Sequence, residues 1–535
     1  MGKANQILKR LDGLAGLTSE KGVAIWLERL AFCSLVLMTV SAPHSIAATQ
    51  TAWLLGMIFW ISRYFVSPRP KFIRTSLFTP FLLFFAWTVL TAIFSYAPDI
   101  SIAKLKGVSL ILIFFFSLNN LKTPRSIRFV AVALLFSCMV NVFWVPIERL
   151  IGRGIEIREI KTENPLDMKK GDVLVSIDGQ PINTPKDIIR KLEQNGEIKI
   201  LTQRFDSFWY QRVIKTALLK GNSDLQKLGI SSWKRSRNWR SSGFYGHYAT
   251  YAEVMQLIAS LAFGLFIASF NSKLRQSETP QLSKKKNSPD DKGKGFSALV
   301  KSIYLYCSRP WFLLFVTTMM ALALLLTVTR APQAAFIVSC VFIALLGGSR
   351  KVLKVFGIAI IPLIIAGLYG LHQSRNVGFL DTNDGSIVWR KVVYKEGFNL
   401  WSENIRNLTL GVGMDSAKRY KQEWKLFADG KLPPGHFHST PLQLVVERGF
   451  PALIFWLIIL GIYIRIGFVV LKTTALSNWL DHGIVLGCMG GTLGFFISGL
   501  VHYNLGDSEV AMVFFLLMAF VVRIQSVNSP EISKG

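Results

Sequence analysis

Apolar runs of about 20 residues recur along most of this chain, and they constrain its fold more than any other feature. Each run is long enough to cross a hydrocarbon layer about 30 Å thick as a helix. Charged residues make up only 17% of the 535 residues, whereas a soluble domain carries about 25%. The predicted fold class is therefore a polytopic all-α membrane protein with about 12 transmembrane helices. The predicted spans lie near residues 24–42, 46–66, 77–96, 103–119, 127–148, 247–270, 311–329, 332–348, 354–372, 451–471, 483–501 and 508–525.

Basic residues predict the orientation of these spans. The N-terminus carries Lys3, Lys9, Arg10 and Lys21, and the even-numbered connections between spans are also rich in Lys and Arg. Because short cytoplasmic loops carry an excess of these residues, both termini are predicted to lie in the cytoplasm. The same bias accounts for much of the net charge of +29, so no nucleic-acid partner is predicted. No small-residue cleavage site separates the first two runs, which predicts no removable signal peptide.

The connections between spans differ greatly in length, and this predicts the domain organisation. Two long connections fall on the outer side of the membrane, and a Ser/Lys-rich stretch at 271–300 is predicted to be a flexible cytoplasmic linker. The predicted segments are 1–148 with spans one to five, 149–218 with an outer domain, 219–372 with spans six to nine, 373–450 with an outer loop that carries the chemistry, and 451–535 with spans ten to twelve.

The first long connection contains the pattern of a small α+β domain. The run Met168–Ile182 predicts a turn, a buried strand and an Asp-Gly hairpin turn, and Thr184–Gln194 predicts a helix that Thr184 caps. This run closely resembles the central strand and turn of bacterial PDZ domains. The resemblance implies an inserted periplasmic PDZ-like domain, in which the glycines of Ile151–Ile155 stand where that family receives a peptide carboxylate. The alternative is that these glycines only make a tight turn and the domain serves as a docking or spacing element.

His438 is the first candidate for chemistry, because it stands between a polar loop and an apolar span. The sequence Thr440-Pro441-Leu442-Gln443 has the form of a capping box, which predicts a short helix that ends at Gly449. His438 would then precede a helix N-terminus, where the helix dipole disfavours imidazolium and favours phosphate. A neutral imidazole suits a general base. The alternative is an ordinary surface histidine in a Pro/Gly loop.

Other polar residues are candidates for binding. Arg330 ends the seventh run and Arg390 lies on a predicted outer helix; a guanidinium suits a diphosphate, although snorkelling to the membrane surface would explain either. His436 and His438 have a spacing that zinc could use, but no third ligand is evident nearby. Asp507 either caps the last helix or contacts substrate.

Two glycines near the predicted outer helix are also candidates for binding a ligand. Gly411 and Gly413 form a turn that can bring backbone amides close to a ligand. The helix itself is predicted over Ser386–Trp401, with Trp389 and Val393 on one face together with Gly397 and Leu400.

Several patches together resemble the O-antigen ligase and polymerase superfamily. The resemblance implies an enzyme of the bacterial inner membrane that transfers a glycan from undecaprenyl diphosphate, with no metal and no other cofactor. The chain departs from the pattern of the family at Ser439, where Asn is usual, and at Ala331, where Gly is common. The matching patches are 244–251, Thr329-Arg330, Arg390 through Trp401 to Gly413, 436–450 and 504–509.

The resemblance also implies roles for individual residues. His438 would be the catalytic base, and Arg330 and Arg390 would hold the diphosphate. The residues implied to bind substrate are His247, Tyr248, Gly411, Gly413, His436, Glu447 and Asp507.

The acceptor favoured by this resemblance is the lipid A core, which would make the chain an O-antigen ligase. A polymerase and a protein O-oligosaccharyltransferase remain alternatives, and a peptide or protein partner of the PDZ-like domain would favour the second. A transporter of lipid-linked glycan and a membrane-tethered PDZ scaffold belong to different functional classes. The first would carry charges along its bundle, and the second would not need the histidine and arginines.

Overall fold

The computed structural model describes residues 3–17, 22–161, 167–204, 207–237, 239–278, 309–354, 357–358, 365, 385–432, 434–474 and 478–528. Contacts divide the chain into two compact units: a helical unit of residues 1–141 with 242–535, and an inserted β-unit, Val142–Ser241.

Long apolar helices dominate the helical unit. In the described part of the chain, eight helical segments are long and apolar enough to cross a membrane, and two shorter apolar helices accompany them. This confirms the prediction of a polytopic membrane protein. The first helices are α1 (Lys3–Ala15), α2 (Val23–Ser41), α3 (Ile46–Arg63), α4 (Phe78–Ile93), α5 (Pro98–Val108), α6 (Leu112–Asn120) and α7 (Pro124–Ile151), with a 3-10 turn at Ser109–Ile111.

The remaining helices, beyond the inserted β-unit and its α8 and α9, are α10 (Tyr248–Glu278), α11 (Pro310–Leu326), α12 (Arg330–Gly347), α13 (Gly385–Ser402), α14 (Ile405–Leu410), α15 (Ser416–Arg419), α16 (Leu426–Asp429), α17 (Thr440–Thr474), α18 (Trp479–Gly499) and α19 (Ser508–Asn528). The predicted span 354–372 lies almost wholly outside the described residues. The predicted linker 271–300 is wrong at its start, because α10 continues to Glu278; residues 279–300 lie outside the described part.

Helix α10 lies at the centre of the helical unit and packs against α11, α12, α18 and α19. Its backbone approaches that of α18 closely at Gly264, where an added Cβ would collide with the main chain of Gly483 and Gly487. Small residues of this kind let helices pack tightly where lipid leaves no hydrophobic force between them.

The inserted β-unit is built on one antiparallel sheet with the strand order β5-β4-β2-β1-β6, and β3 pairs with β2. Its core consists of buried aliphatic side chains from both ends of the segment, among them Ile155, Leu174 and Ile230. The elements are β1 (Arg153–Ile160), β2 (Val173–Ile177), β3 (Gln180–Pro181), α8 (Pro185–Asn195), β4 (Glu197–Arg204), β5 (Ser207–Ile214), α9 (Asp224–Lys227) and β6 (Ile230–Ser236).

The local predictions for this unit are confirmed. The predicted buried strand is β2, and Asp178 and Gly179 both have positive φ in the turn that follows it. Helix α8 begins with the predicted cap, since Thr184 and Asp187 form a reciprocal capping box.

The predicted peptide-receiving loop leads into a strand that is paired on both sides, which a peptide-binding strand would not be. Gly152 and Gly154 have positive φ, and a Cβ on Gly154 would lie 2.5 Å from the carbonyl oxygen of Leu174. The strand after them, β1, pairs with β2 on one side and with β6 on the other. A peptide that adds to a sheet needs a free edge, and β1 has none. The unit also extends beyond residue 218, because β6 belongs to the same sheet as β1.

Candidate active site

Residues 434–439, which we term the histidine loop, lead directly into α17. Ser439 is the helix cap: its hydroxyl accepts from the amide of Leu442 at 3.4 Å and its carbonyl accepts from Gln443 at 2.8 Å. The predicted cap, Thr440, instead donates to the carbonyl of His502 at 3.1 Å. The predicted end at Gly449 appears as a break with φ 72° and ψ 173°, beyond which α17 continues as an apolar helix.

Gln443 ties this loop to the helix that follows it. Its amide oxygen accepts from the backbone N–H of Phe437 at 2.6 Å, between the two histidines. Its amide nitrogen donates to Glu447 Oε1 at 2.8 Å. The same carboxylate oxygen accepts from the N–H of Asp415 at 3.0 Å. Glu447 therefore positions two separate loops through hydrogen bonds, and it is buried.

Helix α13 forms the other wall around the histidine loop. Trp389 packs edge-on against the ring of His438, with ring centroids 4.4 Å apart. Tyr394 donates its hydroxyl hydrogen to the carbonyl of His438 at 2.8 Å. Gly397 allows close approach, because a Cβ there would lie 2.7 Å from the Phe437 ring. The predicted face of this helix is therefore confirmed as the one that meets the loop.

The backbone of His438 is itself unusual. Its φ is +47°, in the left-handed region that a residue with a Cβ rarely adopts. The N–H of His438 donates to Nδ1 of His436 at 3.2 Å, and the two rings are 4.0 Å apart. Since Nδ1 of His436 accepts, its hydrogen resides on Nε2 in the neutral ring.

Arg390 begins a chain of contacts that runs into the helical bundle. Its guanidinium lies 3.4 Å from Nε2 of His502, and Nδ1 of His502 lies 2.9 Å from Glu253 Oε1. Arginine only donates, so Nε2 of His502 accepts and Nδ1 carries the hydrogen. Glu253 also accepts from Ser498 and, at 3.4 Å, from Asn504. A buried carboxylate on an apolar helix thereby orients a histidine that contacts Arg390.

Electrostatics keep both loop histidines uncharged. The pKa of His438 is lowered to about 2, first by burial and then by the nearby His436, Arg390, His502 and His247. Burial likewise lowers the pKa of His436 to about 4. The predicted neutral imidazole thus follows from burial first and from neighbouring cationic groups second, and the helix N-terminus is not among the causes. A base with so low a pKa is weak until an anion binds beside it.

Three further candidate residues lie at the starts of α10 and α12. His247 and Tyr248 stand at the start of α10 with rings 4.2 Å apart, and His247 is near enough to lower the pKa of His438. Arg330 is the first residue of α12, and Val328 just before it has φ +51°. The place of Arg330 beside the base stays a prediction.

The two glycines of the predicted ligand turn have their amides engaged within the protein. The N–H of Gly413 donates to the carbonyl of Glu447 at 2.9 Å, and that of Gly411 donates to Asn407 at 3.1 Å. A Cβ on Gly411 would collide with the backbone of Arg448, and one on Gly413 would collide with Ser95. These glycines serve close packing against α17.

Asp507 caps the last helix, as one of its two predicted roles required, while its contact with substrate stays a prediction. Its carboxylate accepts from the N–H of Glu509 at 3.2 Å at the start of α19 and from the Thr250 hydroxyl at 2.6 Å. It also lines a cavity of about 360 Å³ that reaches His436 and Tyr503. Among the described residues, no group of three or more His, Cys, Asp or Glu side chains is placed to hold a metal ion.

Sequence reasoning missed several residues of this site. Gln443 was assigned to the helix cap, and no local sequence pattern predicts its contact with Phe437. Glu253 had one, because an acidic residue inside an apolar run is costly and commonly functional. Arg448 and Tyr503 were also missed.

Comparison with known proteins bears on the segment around this site. No curated protein matches the chain. Residues 315–457 match the family model described as O-antigen ligase. That match covers less than half of the chain, but it includes Arg330, Arg390, His438 and Glu447. Over the segment that carries its candidate catalytic residues, the chain is therefore similar to the O-antigen ligases.

Proposed function

We propose that this protein is a glycosyltransferase that moves a glycan from a polyprenyl diphosphate to an acceptor hydroxyl at the outer face of the membrane. The observation that carries the proposal is the placement of His438. The half-buried ring packs edge-on against Trp389 and is near Arg390. It also lies within the segment similar to O-antigen ligases.

The proposed step is a single inverting displacement. The acceptor oxygen forms a bond to the anomeric carbon of the glycan as the bond from that carbon to the diphosphate oxygen breaks. His438 takes the proton of the acceptor hydroxyl, and the electron pair of the broken bond leaves with the polyprenyl diphosphate. Arg390 and Arg330 hold the diphosphate, because fixed donors stabilise charge as it develops on the leaving group.

The low pKa of His438 fits this order of events. In the unliganded protein, burial and Arg390 keep the ring neutral and weakly basic. A bound diphosphate brings negative charge beside it, which raises the pKa of the imidazole. His438 then becomes a stronger base only when the donor is present.

Within this class, we propose undecaprenyl diphosphate as the lipid carrier, the lipid A core as the acceptor and the bacterial inner membrane as the location. The test is the surface glycan of a strain in which His438→Ala replaces the chain at normal protein level. We expect loss of polymer from lipid A and accumulation of lipid-linked polymer. The matched control is His482→Ala, a histidine at the opposite end of α18 from His502.

Other outcomes separate the rivals. Normal polymer on lipid A at normal protein level would contradict the ligase proposal or the role of His438. Shortened chains would identify a polymerase instead, and a changed glycoprotein pattern would identify a protein O-oligosaccharyltransferase.

A further inference from the structure

A cavity of about 360 Å³ lies on the His436 side of the histidine loop. Its apolar part includes Phe84, Ile111 and Phe515, and its polar part includes Arg448 and Tyr503. Neither His438 nor Arg390 lines it. His436 links the two places, because its ring is 4.0 Å from that of His438 and 5.8 Å from that of Tyr503.

Arg448 is the most informative residue of this cavity. It is only 5% exposed, yet its Nε has no hydrogen-bond partner. Its Nη2 makes a long contact of 3.4 Å with the Tyr503 hydroxyl and lies 4.0 Å from Glu447 Oε2. A guanidinium has five N–H groups, and leaving them unmet in a buried place is costly. Donors of this kind on a cavity wall suit the oxygen atoms of a ligand.

The backbone fixes where this guanidinium can go. The carbonyl of Arg448 accepts from the indole N–H of Trp87 at 2.8 Å. Its guanidinium carbon lies 5.8 Å from the centre of the Phe84 ring. The residue immediately precedes the break at Gly449. The side chain is therefore held at the cavity by its neighbours on α4 and by the break in α17.

The charges around the cavity identify the kind of ligand. Among the described residues that line it, three are basic and three are acidic. A diphosphate would meet repulsion from the carboxylates, whereas sugar hydroxyls both donate and accept hydrogen bonds and need both kinds of partner. The charged lining residues are Lys104, Lys418, Arg448, Asp415, Glu447 and Asp507.

We propose that this cavity binds an uncharged sugar of the acceptor, with Arg448 and Tyr503 hydrogen-bonded to its oxygen atoms. The proposal rests on the proposed glycosyl transfer. An inverting displacement brings the nucleophile to the face of the sugar opposite the leaving group. Arg390 is near His438 as the proposed ligand of the diphosphate, and the cavity, which neither of them lines, offers the acceptor a separate place at His436.

Gly107 gives a test that removes no polar group. It lines the cavity on helix α5, and a Cβ there would meet nothing within 4 Å. Gly107→Leu therefore places a side chain in the cavity and also suits a helix better than glycine. Gly107→Ala is the matched control, because it leaves most of the space open. A second pair is Arg448→Gln with Arg419→Gln, an arginine outside the cavity that pairs with Asp99.

The assay uses the full-length protein in lipid nanodiscs with an undecaprenyl-diphosphate oligosaccharide as donor and rough-type lipopolysaccharide as acceptor. We expect Gly107→Leu and Arg448→Gln to raise the acceptor KM about tenfold to a hundredfold, the loss of a charge-assisted hydrogen bond or its equivalent. The donor KM should not change. An unchanged acceptor KM in folded Gly107→Leu, or a rise in the donor KM alone, overturns the proposal.

A binding measurement separates this proposal from the proposed function. Saturation-transfer NMR with D-glucose and D-galactose should show contact with the wild type and with Gly107→Ala, and none with Gly107→Leu. If the wild type transfers no glycan but this contact is present and lost on blocking, the sugar subsite stands while the transferase proposal fails. Displacement of the sugars by inorganic diphosphate at Arg448 would overturn the subsite.

Discussion

The inserted β-unit and the helical unit use the left-handed backbone region differently. In the described part of the β-unit, every residue with positive φ is glycine or aspartate, as at Gly154 and Asp178. In the helical unit, residues with larger side chains also occupy this region, namely Val328, Lys425, Phe427, Ala428 and His438. Two of them stand beside or at candidate catalytic positions, since Val328 precedes Arg330 by two residues and His438 is the candidate base.

The difference shows where the residue type suits the backbone conformation and where it does not. Glycine and aspartate tolerate positive φ, so the β-unit has local sequence that agrees with its turns. A histidine or valine there costs about 1–3 kcal/mol and persists only when its surroundings hold it. The surroundings therefore hold the backbone in this conformation at these positions, and the candidate base His438 is one of them.

The largest effect is expected at His438, where a candidate base has positive φ. We expect His438→Gly to lower the transfer rate by about 10²–10⁴-fold, since the general base is lost. The same change should make the protein about 1 kcal/mol more stable than His438→Ala, because glycine adopts positive φ without strain. Rates and thermal unfolding of the two purified variants test this. Equal stability of the two would show that the backbone of His438 is not strained.

A second test moves the strain into the β-unit. Gly154→Val would place a branched side chain at φ +64° and against the carbonyl of Leu174. We expect local opening of the sheet by about 3 kcal/mol or more. Hydrogen exchange of residues 153–160 in the full chain measures it.

The control for this change is Gly171→Ala, which has positive φ but open space around its Cβ. The transfer rate per folded molecule should stay within about twofold in both variants, because the candidate catalytic residues all lie in the helical unit. A large loss of rate in folded Gly154→Val would show that the β-unit takes part in catalysis.

A smaller effect is expected from the hydrogen bonds that hold the histidine loop. Gln443→Met keeps the volume but removes the contacts with Phe437 and Glu447. We expect kcat to fall about tenfold, as the loss of buried hydrogen bonds of about 1 kcal/mol each shifts His438. Gln443→Glu, which retains the acceptor for Phe437, should recover part of kcat. Equal kcat values for Gln443→Met and Gln443→Glu would argue that this acceptor does not position His438.

The smallest effect should be that of pH on the free enzyme. The pKa of His438 is lowered to about 2 from 6.5 by burial, with His436, Arg390, His502 and His247 around it. Because kcat/KM reports the free enzyme, titration of His438 should not reduce it as pH falls from 8 to 6. A fall centred near 6.5 would indicate an exposed base.

Stability has the opposite dependence on pH. The unfolded chain takes up protons on His436 and His438 below about pH 6.5, while the folded chain does not, so stability is lost as pH falls through that range. Thermal unfolding of the wild type and of His438→Gln at pH 5.5 and pH 8 measures the contribution. We expect the difference between the two pH values to shrink in the variant.

Local sequence predicted the elements whose signals lie within a few residues. The bounds of most apolar helices, the turn at Asp178, the capped helix α8 and the break at Gly449 all follow from hydropathy and turn chemistry. The helix cap was displaced by one residue, because Thr440 finds partners at His502 and Asn504 that no local pattern reveals.

Long-range pairings account for most of what the sequence did not predict. Glu253 and His502 are 249 residues apart, and their contact depends on how α10 packs against α18. Strand β6 follows the predicted domain and was assigned to the next segment, although it completes the sheet beside β1. The engaged amide of Gly413 follows from the position of α17, which glycine spacing does not determine.

The pairing of β1 with β6 brings the two ends of the sheet together. Arg153 lies opposite Ser236, so the chain enters and leaves the sheet roughly 5 Å apart. A segment whose ends meet can be excised and replaced by a short linker without rerouting the remaining chain. Residues 153–236 thus form a removable cassette, whose loss or exchange would leave the course of the chain outside it unchanged.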